Sequence, residues 1–499
     1  MPTIVSSPAP RPRGPRMNPA SLVRQLPAIA SFKAVQLLSL ALFSVLAPRY
    51  LGPELFGSFA VVLSLTALWM TSSNLGARYV FGRFVPEYAA RGADERVREL
   101  FMHMVGARLA VALVAGPALA LFLARALPEA STSTLAASCA AFVAMTVAAP
   151  MFGIFYGLNQ LGASIARESF GRLALLALLV ALGAAAGLER ATVALLLTHL
   201  VALAVGTYLC RDLFRFDRGA FAPREVYAHL RFGLAVLAAN FLLRLPWRLG
   251  ESALALAEVA REEIAYFNIA LSAAVAFTRL LGEATTLQIP SLSLRHAAGD
   301  SAGRDLGLGV ALKFLNVTGV LFVLVVFAAG PWAVRTFWGP QFAGVVPNLL
   351  LVAPAALSQP FVRTALSLAV LETRLRRNLE LGAAAVAVFC LAAWALVPTL
   401  ASLGATAALV ASSFACAFVA FLRLRPTGVL AAARTRRHLL AVAAPAALLV
   451  AAHGAEWAAA AAVPLYLASL FALGVVRRDE LLVLVASFRR EPPRSADPR

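Results

Sequence analysis

Residues 26–99 of the chain are LPAIASFKAVQLLSLALFSVLAPRYLGPELFGSFAVVLSLTALWMTSSNLGARYVFGRFVPEYAARGADERVRE. The segment contains two apolar stretches of about 20 residues, the length at which an α-helix crosses the hydrocarbon core of a bilayer. The connector between these stretches has one arginine, Arg49, whereas the connector that follows them has five. The five are Arg78, Arg83, Arg91, Arg96 and Arg98. This alternation predicts a chain that crosses a membrane repeatedly.

The same alternation continues along the whole chain, which divides into about fourteen apolar stretches of spanning length. We predict spans at residues 26–47, 56–76, 100–124, 133–157, 171–188, 191–210, 232–257, 264–289, 307–333, 345–371, 379–398, 402–422, 439–454 and 456–476. Of the 44 Lys and Arg residues, 32 lie in the two tails and the even-numbered connectors, with Arg172 at the start of the fifth span counted in its connector. The odd-numbered connectors contain Arg49, Arg125, Arg190, Arg261 and Arg335. By the positive-inside rule, both termini are expected in the cytoplasm.

Composition excludes a soluble globular protein. Of the 499 residues, 61% are hydrophobic and 14% are charged, and the mean hydropathy is +0.79. The net charge of +19 follows mostly from the cytoplasmic arginines, which also attract anionic lipid headgroups. We therefore expect membrane lipids as partners and no nucleic acid.

Enzyme chemistry has no visible basis in the sequence. The connectors expected outside are short, and neither a glycine-rich phosphate loop nor a nucleophile elbow is present. The cysteines lie far apart in apolar stretches, without the spacing of metal ligands. They are Cys139, Cys210, Cys390 and Cys416. We predict a protein that is not an enzyme and has no cofactor and no metal site.

A weak internal repeat divides the chain. The segment 54–64 aligns with 262–272 at an offset of 208, and both segments start on the same side of the membrane. The repeat predicts two homologous six-helix lobes, as in alternating-access transporters. The expected units are a disordered tail 1–21, a first lobe 22–212, a second lobe 213–425, two accessory helices within 426–476 and a cytoplasmic tail 477–499.

Several ordered motifs resemble a known family. They are Arg49-Tyr50-Leu51-Gly52-Pro53-Glu54-Leu55-Phe56-Gly57, Asn74-Leu75-Gly76, Phe84-Val85-Pro86-Glu87-Tyr88, Leu230-Arg231-Phe232-Gly233, Trp338-Gly339-Pro340-Gln341-Phe342 and Leu403-Gly404-Ala405-Thr406-Ala407-Ala408. This set resembles the Wzx-like O-antigen and exopolysaccharide flippases of the multidrug/oligosaccharidyl-lipid/polysaccharide (MOP) superfamily. The resemblance implies an all-α, MATE-like membrane fold with two lobes around a cationic lumen. It also implies transport of a lipid-diphosphate-linked oligosaccharide across a bacterial inner membrane.

One motif departs from that family. Many members have an Asp-Arg pair midway along the seventh span, where this chain has Arg244-Leu245-Pro246-Trp247-Arg248. The acid is missing, so a coupling mechanism that uses it does not transfer to this chain.

The cations inside the predicted spans are the candidate substrate ligands, because a charge at mid-bilayer costs at least about 2.5 kcal/mol and needs water or a partner. Arg244 and Arg248 share one helix face and lie too deep to reach the cytoplasmic surface, and Pro246 between them predicts a kink. Their guanidinium groups match the oxygens of a diphosphate. The alternative for Arg248 is an ion pair with Glu251 near the outer surface.

Other intramembrane charges leave two interpretations open. Arg279 is a candidate ligand or the partner of Glu283, and the two acids Glu251 and Glu283 serve either in ion pairs or in coupling. The lysines, Lys33 and Lys313, either line the cavity or extend to the interface. For Arg108 and Arg363 we expect extension to the inner interface.

The predicted function is therefore a flippase, with a lipid-linked oligosaccharide of the undecaprenyl-diphosphate type as substrate and polymerase or export machinery as further partners. A small-molecule exporter of the same superfamily is the first alternative. However, spans one to six contain no acid for a cation-coupled exporter. A membrane glycosyltransferase or ligase is the second alternative, and it lacks acids on the outer face.

Overall fold

The computed structural model describes residues 19–158, 161–214, 223–286, 292, 299–371, 375–451 and 456–476. Every regular element in these residues is a helix. The predicted tail 477–499 and most of the tail 1–21 lie outside the described residues.

The first six predicted spans correspond to helices of one bundle. These are α1 (Pro19–Leu51), α2 (Pro53–Ser72), α4 (Asp94–Ala126), α5 (Thr132–Gly157), α6 (Leu161–Ala181) and α7 (Leu188–Leu209). Helix α5 packs between α4 and α7, and α1 packs along α6. Between α2 and α4 the chain forms α3 (Ala77–Ala90), a helix where the sequence predicts a loop.

The next six spans form a second bundle from more interrupted elements. They are α8 (Pro223–Arg244), α9 (Pro246–Leu256), α10 (Arg261–Thr286), α11 (Ser301–Phe337), α12 (Val345–Val352), α13 (Gln359–Leu371) and α14 (Leu375–Leu424). Helices α8 and α9 both pack against α14, and α10 packs against α12. Two short helices follow, α15 (Val429–Ala432) and α16 (Thr435–Ala451), and then α17 (Glu456–Ala472). The pair α16–α17 lies against α11.

Each interruption has a cause in the sequence. The seventh span is interrupted at Leu245 because Pro246 has no N–H to donate, although Leu245 itself keeps helical dihedral angles (φ −59°, ψ −45°). The tenth span passes through a 3-10 segment, Ala353–Ser358, between α12 and α13. Helix α14 reverses direction at Ala401, where φ is 48° and ψ is −123°. The reversal separates the predicted eleventh and twelfth spans.

All fourteen predicted spans overlap these helices, and the all-α membrane architecture is confirmed. Eight described helices are long and apolar enough to cross a membrane by length and composition, and shorter apolar helices accompany them. Helices α2 and α10 start at Pro53 and Arg261, the offset of 208 that the repeat predicts. We call the end of the bundle that contains Gly52 and Arg261 the arginine-poor end, and the end that contains residues 73–76 the arginine-rich end.

The two bundles share one apolar core where α2 lies against α10. Phe56 and Phe59 of α2 are buried together with Ile264 and Phe267 of α10. Small residues permit this approach, as is usual for helices that pack in membranes. The contact places the inner faces of the lobes close to the break between α8 and α9.

Candidate functional site

The break in the seventh span carries the two arginines that the sequence predicts as the leading substrate ligands. Arg244 ends α8 and is exposed, and Arg248 is partly buried in the first turn of α9. Their charges lie within electrostatic range of each other. Neither guanidinium has a hydrogen-bond or ion-pair partner among the described residues.

Two further arginines of the second lobe extend this cluster. The charge of Arg279, on α10, acts on Arg248 together with Arg244. Arg363, on α13, donates from Nη2 to the carbonyl oxygen of Thr278 at 3.0 Å, one residue before Arg279. The expected extension of Arg363 to the interface is therefore wrong, because its guanidinium is held at the backbone of α10. We call Arg244, Arg248, Arg279 and Arg363 the arginine cluster.

Glu251 lies beside this cluster and joins the two lobes. It is 3% exposed, and its carboxylate accepts from Asn268 Nδ2 at 2.9 Å and from Ser64 Oγ at 3.2 Å. Ser64 is eleven residues, about 17 Å, along α2. Because Glu251 contacts Ser64 at this distance from the arginine-poor end, it lies deep in the protein, covered by α2 and α10, and not near the outer surface as predicted.

Ser64 also donates to the carbonyl oxygen of Arg248 at 3.2 Å. The carboxylate of Glu251 attracts the charge of Arg248, but no ion pair within 4.0 Å joins the two side chains in the described part of the chain. The predicted alternative of a direct Arg248–Glu251 pair is therefore wrong in this arrangement.

The remaining predicted site residues are not brought to the cluster by any described contact. Lys313 is 1% exposed inside the second lobe, and its Nζ lies 5.0 Å from the ring centroid of Phe314. The side chains of Lys33 and Glu283 lie outside the described residues. The roles of these three residues stay predictions.

Arg108, on α4 of the first lobe, is 1% exposed. Its Nη1 donates to Asn74 Oδ1, between α2 and α3, at 3.1 Å. The expectation that Arg108 extends to the interface is thus wrong, because its guanidinium is enclosed by the bundle.

The arginine-poor end is closed by contacts between the lobes. A Cβ built on Gly57 of α2 would lie 1.8 Å from the carbonyl oxygen of Arg261, so only glycine permits this approach. The Arg261 guanidinium donates from Nε and Nη2 to the two carboxylate oxygens of Glu129, both at 3.0 Å. It also donates to the carbonyl oxygen of Ala126 at 3.1 Å.

The arginine-rich end is closed as well, by α3 of the first lobe against α8 of the second. A Cβ on Gly233 would lie 2.3 Å from the carbonyl oxygen of Leu75. Leu75 itself has a φ of 50°, a left-handed conformation that is unusual for leucine. We call residues 73–76, which join α2 to α3, the corner.

Side chains reinforce this second closure. The Tyr88 hydroxyl and His229 Nε2 form a hydrogen bond of 2.9 Å, and the Phe84 ring meets the Phe232 ring edge-on at 5.6 Å. Arg96 and Glu225 form an exposed ion pair of 2.7 Å. The motifs Phe84-Val85-Pro86-Glu87-Tyr88 and Leu230-Arg231-Phe232-Gly233 are thus the two sides of one contact.

A family model described as polysaccharide biosynthesis protein matches residues 28–294 of the chain. The chain belongs to this family. The prediction from the sequence motifs is confirmed. A comparison with curated proteins finds none that matches.

The fold of the chain is similar to that of solved membrane transporters. The lipid II flippase MurJ in an inward closed conformation aligns with a TM-score of 0.63 at 11% identity, covering 92% of this chain and 100% of that one. An inward-facing multidrug resistance MATE family transporter of the MOP superfamily aligns with a TM-score of 0.58 at 13% identity, over 80% of this chain and 96% of that one. An outward-facing MATE structure gives a TM-score of 0.54 at 16% identity, over 80% and 94%.

The chain is thus a multi-pass membrane protein of the polysaccharide biosynthesis family, with the fold of these transporter structures. Within the described residues, no group of three or more His, Cys, Asp and Glu side chains is arranged to hold a metal ion.

Proposed function

We propose that this protein is a flippase that moves a lipid-diphosphate-linked oligosaccharide across the bacterial inner membrane. The first lobe, 22–212, and the second lobe, 213–425, alternate between openings at the two ends of the bundle. The family supports a role in polysaccharide biosynthesis, and the fold supports movement of a substrate between two lobes.

The arginine cluster carries this proposal. Two guanidinium groups without a described partner sit at a break in the seventh span, with Arg279 and Arg363 beside them. Unpaired charge at this depth is costly, whereas a diphosphate offers several anionic oxygens in the geometry that guanidinium groups bind bidentately. The cluster is thus suited to the diphosphate of a lipid-linked sugar and poorly suited to a cationic drug.

The arginine-rich end is placed in the cytoplasm by the positive-inside rule, and so are both termini. The headgroup enters between the lobes from that side while its undecaprenyl-type tail stays in the surrounding membrane lipid. Polysaccharide polymerase or export machinery then receives the headgroup on the outer face.

We assign the coupling of transport to its energy source to the acids of the second lobe. Glu251 bonds to α2 of the first lobe through Ser64, so a change in its charge alters the contact between lobes. Glu283 is proposed to partner Arg279 one helical turn away. We propose that Lys33 and Lys313 also contribute to the positive potential around the headgroup.

Substitution of the arginines tests the proposal. Arg244→Gln and Arg248→Gln, expressed in a strain from which the native gene is deleted, should each reduce surface glycan at least about tenfold, since a charge-assisted hydrogen bond contributes about 1.5–3 kcal/mol. Arg335→Gln is the matched control, because Arg335 is exposed at the arginine-poor end. Unchanged glycan together with altered drug sensitivity would instead support a small-molecule exporter.

A further inference from the structure

A tryptophan of the second lobe donates a hydrogen bond to the backbone of the first lobe at the arginine-poor end. Trp338 directly follows the last residue of α11, and its indole Nε1 lies 2.8 Å from the carbonyl oxygen of Ser44 on α1. The two residues are 294 positions apart in the chain. Trp338 is partly buried and packs against the apolar core that the two lobes share. The bond therefore crosses the boundary between the lobes.

Pro48 explains why the Ser44 carbonyl is available to a partner outside its own helix. In an α-helix the N–H of each residue donates to the carbonyl oxygen four residues before it. Proline has no N–H, so the Ser44 carbonyl lacks this donor, although α1 continues to Leu51. The proline ring also clashes with that carbonyl and turns it outward. Because a carbonyl without a donor is costly inside a membrane, the indole N–H of Trp338 replaces the donor that Pro48 removes.

The indole is held firmly on its own side of the boundary. The backbone N–H of Trp338 donates to the Val334 carbonyl oxygen at 3.0 Å, and that of Gly339 donates to the same oxygen at 3.3 Å. Gly339 has a φ of 96°, a conformation that glycine adopts without steric cost. It turns the chain into the 3-10 segment Pro340–Phe342. Trp338 is thus fixed to the end of α11 and moves with the second lobe.

We infer that Trp338 is a positioning residue for transport, because its indole and the carbonyl that Pro48 frees form a latch that favours closure of the arginine-poor end. Separation of the lobes at this end breaks the latch. The contact of Gly57 with Arg261 brings α2 to α10, whereas the latch holds α1 to the end of α11. The inference rests on the alternation of the lobes proposed above, but not on the identity of the substrate.

The test measures distances between spin labels in the purified full chain in lipid nanodiscs, without substrate. Labels at the exposed positions 49 and 336 report on the latch, and labels at the exposed positions 125 and 262 report on the whole arginine-poor end. Trp338→Phe keeps an aromatic ring but loses the N–H, so the closed arrangement should become about tenfold less populated at both pairs. Trp332→Phe is the matched control and should change neither distance. Trp332 lies on α11, is 60% exposed and makes no hydrogen bond to a described residue.

A double-mutant cycle tests the role of Pro48. Pro48→Ala restores an N–H at this position, which bonds the Ser44 carbonyl within α1 and turns it away from the indole. Pro48→Ala alone should therefore open the end about as far as Trp338→Phe does. Adding Trp338→Phe to Pro48→Ala should have at most about a twofold further effect, because both substitutions remove the same bond. Effects that multiply independently would overturn the inference.

Other outcomes also decide between a latch and a local contact. Unchanged distances in Trp338→Phe would overturn the inference, and so would lengthening between positions 49 and 336 alone, since the bond would then not control closure. If Trp338→Phe does not fold, Pro48→Ala provides the test, because it leaves the indole in place. Deuterium exchange of the Trp338 indole N–H, followed by NMR, should be faster in Pro48→Ala than in the wild type, and equal exchange would contradict the latch.

A further variant separates this inference from the proposed substrate. Arg244→Gln should lose surface glycan but keep the wild-type distances at both pairs of positions. Failure of the glycan proposal then leaves the distance results intact, and failure of the latch leaves the glycan results intact.

Discussion

Ser64 and Glu251 connect the two lobes in the interior of the protein, 187 residues apart in the chain and 3.2 Å apart between Oγ and Oε2. Asn268 donates to the other oxygen of the same carboxylate at 2.9 Å. Since Ser64 belongs to the first lobe and Glu251 to the second, any separation of α2 from α9 must break this bond.

The first prediction concerns the charge of Glu251. Glu251→Gln preserves the shape of the side chain but removes the negative charge. The positive charges of Arg248 and its neighbours then lack the carboxylate that attracts them. Removing one partner from a buried set of charges costs about 3 kcal/mol. We expect a lower Tm in nanodiscs and slower glycan transport. Glu258→Gln is the control, because Glu258 is exposed in the adjacent connector. Equal Tm values for the two variants would contradict a role for the buried charge.

The second prediction concerns closure at the arginine-poor end. Gly57→Ala would place a methyl group 1.8 Å from the carbonyl oxygen of Arg261, an overpacking that costs about 1–3 kcal/mol. The closed arrangement should become about tenfold less populated. Spin labels at the exposed positions 125 and 262 should report longer distances in Gly57→Ala than in the wild type. Gly106→Ala is the control, since a Cβ at Gly106 would meet no described atom within 4 Å, and it should leave the distances unchanged.

The third prediction concerns closure at the arginine-rich end. Gly233→Ala would bring a methyl group to 2.3 Å from the carbonyl oxygen of Leu75. We expect longer distances between labels at positions 87 and 227, on α3 and α8, with no change at the other end. Both glycine variants should reduce transport, but by trapping opposite openings. The same opening in both variants would show that the two contacts are not alternating closures.

The fourth prediction is a pH dependence at His229. Burial lowers the pKa of His229 from 6.5; His103 and Arg96 act in the same direction, and Glu225 opposes them. The closed arrangement therefore binds fewer protons than an arrangement in which His229 meets water. Closure of the arginine-rich end is favoured above about pH 6.5 and weakens as the pH falls through that value toward the lowered pKa.

Spin labels at positions 87 and 227 provide the measurement between pH 7.5 and 5.5. The wild type should open on acidification, and His229→Gln, which does not titrate, should show a flat profile. The Tyr88 hydroxyl, the hydrogen-bond partner of His229, has a pKa raised by burial and stays neutral over this range. If His229→Gln kept the full pH response and His103→Gln removed it, the neighbouring histidine would be the titrating group.

Much of the fold could be predicted from the sequence, because a span needs only length and apolarity, and the orientation needs only the placement of arginine. The break at Pro246 was predictable for a similarly local reason. Helix α3 was missed because its buried side chains, Val80, Phe81 and Val85, form too short a pattern inside an arginine-rich connector. Their partners lie on α5 and α8, which no local pattern reveals.

The site was predictable only in part. The spacing of Arg244 and Arg248 places both on one face of a helix. It says nothing about Arg279 and Arg363, because these belong to other helices, α10 and α13. Glu251 was expected near the surface, because distance along its own helix was the available measure of depth. Its burial depends on Ser64 and Asn268, which belong to other helices.

Arg261 holds the arginine-poor end with two different parts of one residue. Its main-chain carbonyl contacts Gly57, and its side chain donates hydrogen bonds to Glu129 and to the end of α4. A rigid displacement of α10 therefore disrupts the main-chain contact and the hydrogen bonds to the Glu129 carboxylate at once, so this end opens cooperatively. Intermediates in which the end is half open are then rare, so the proposed flippase could release a large headgroup while few small ions leak through.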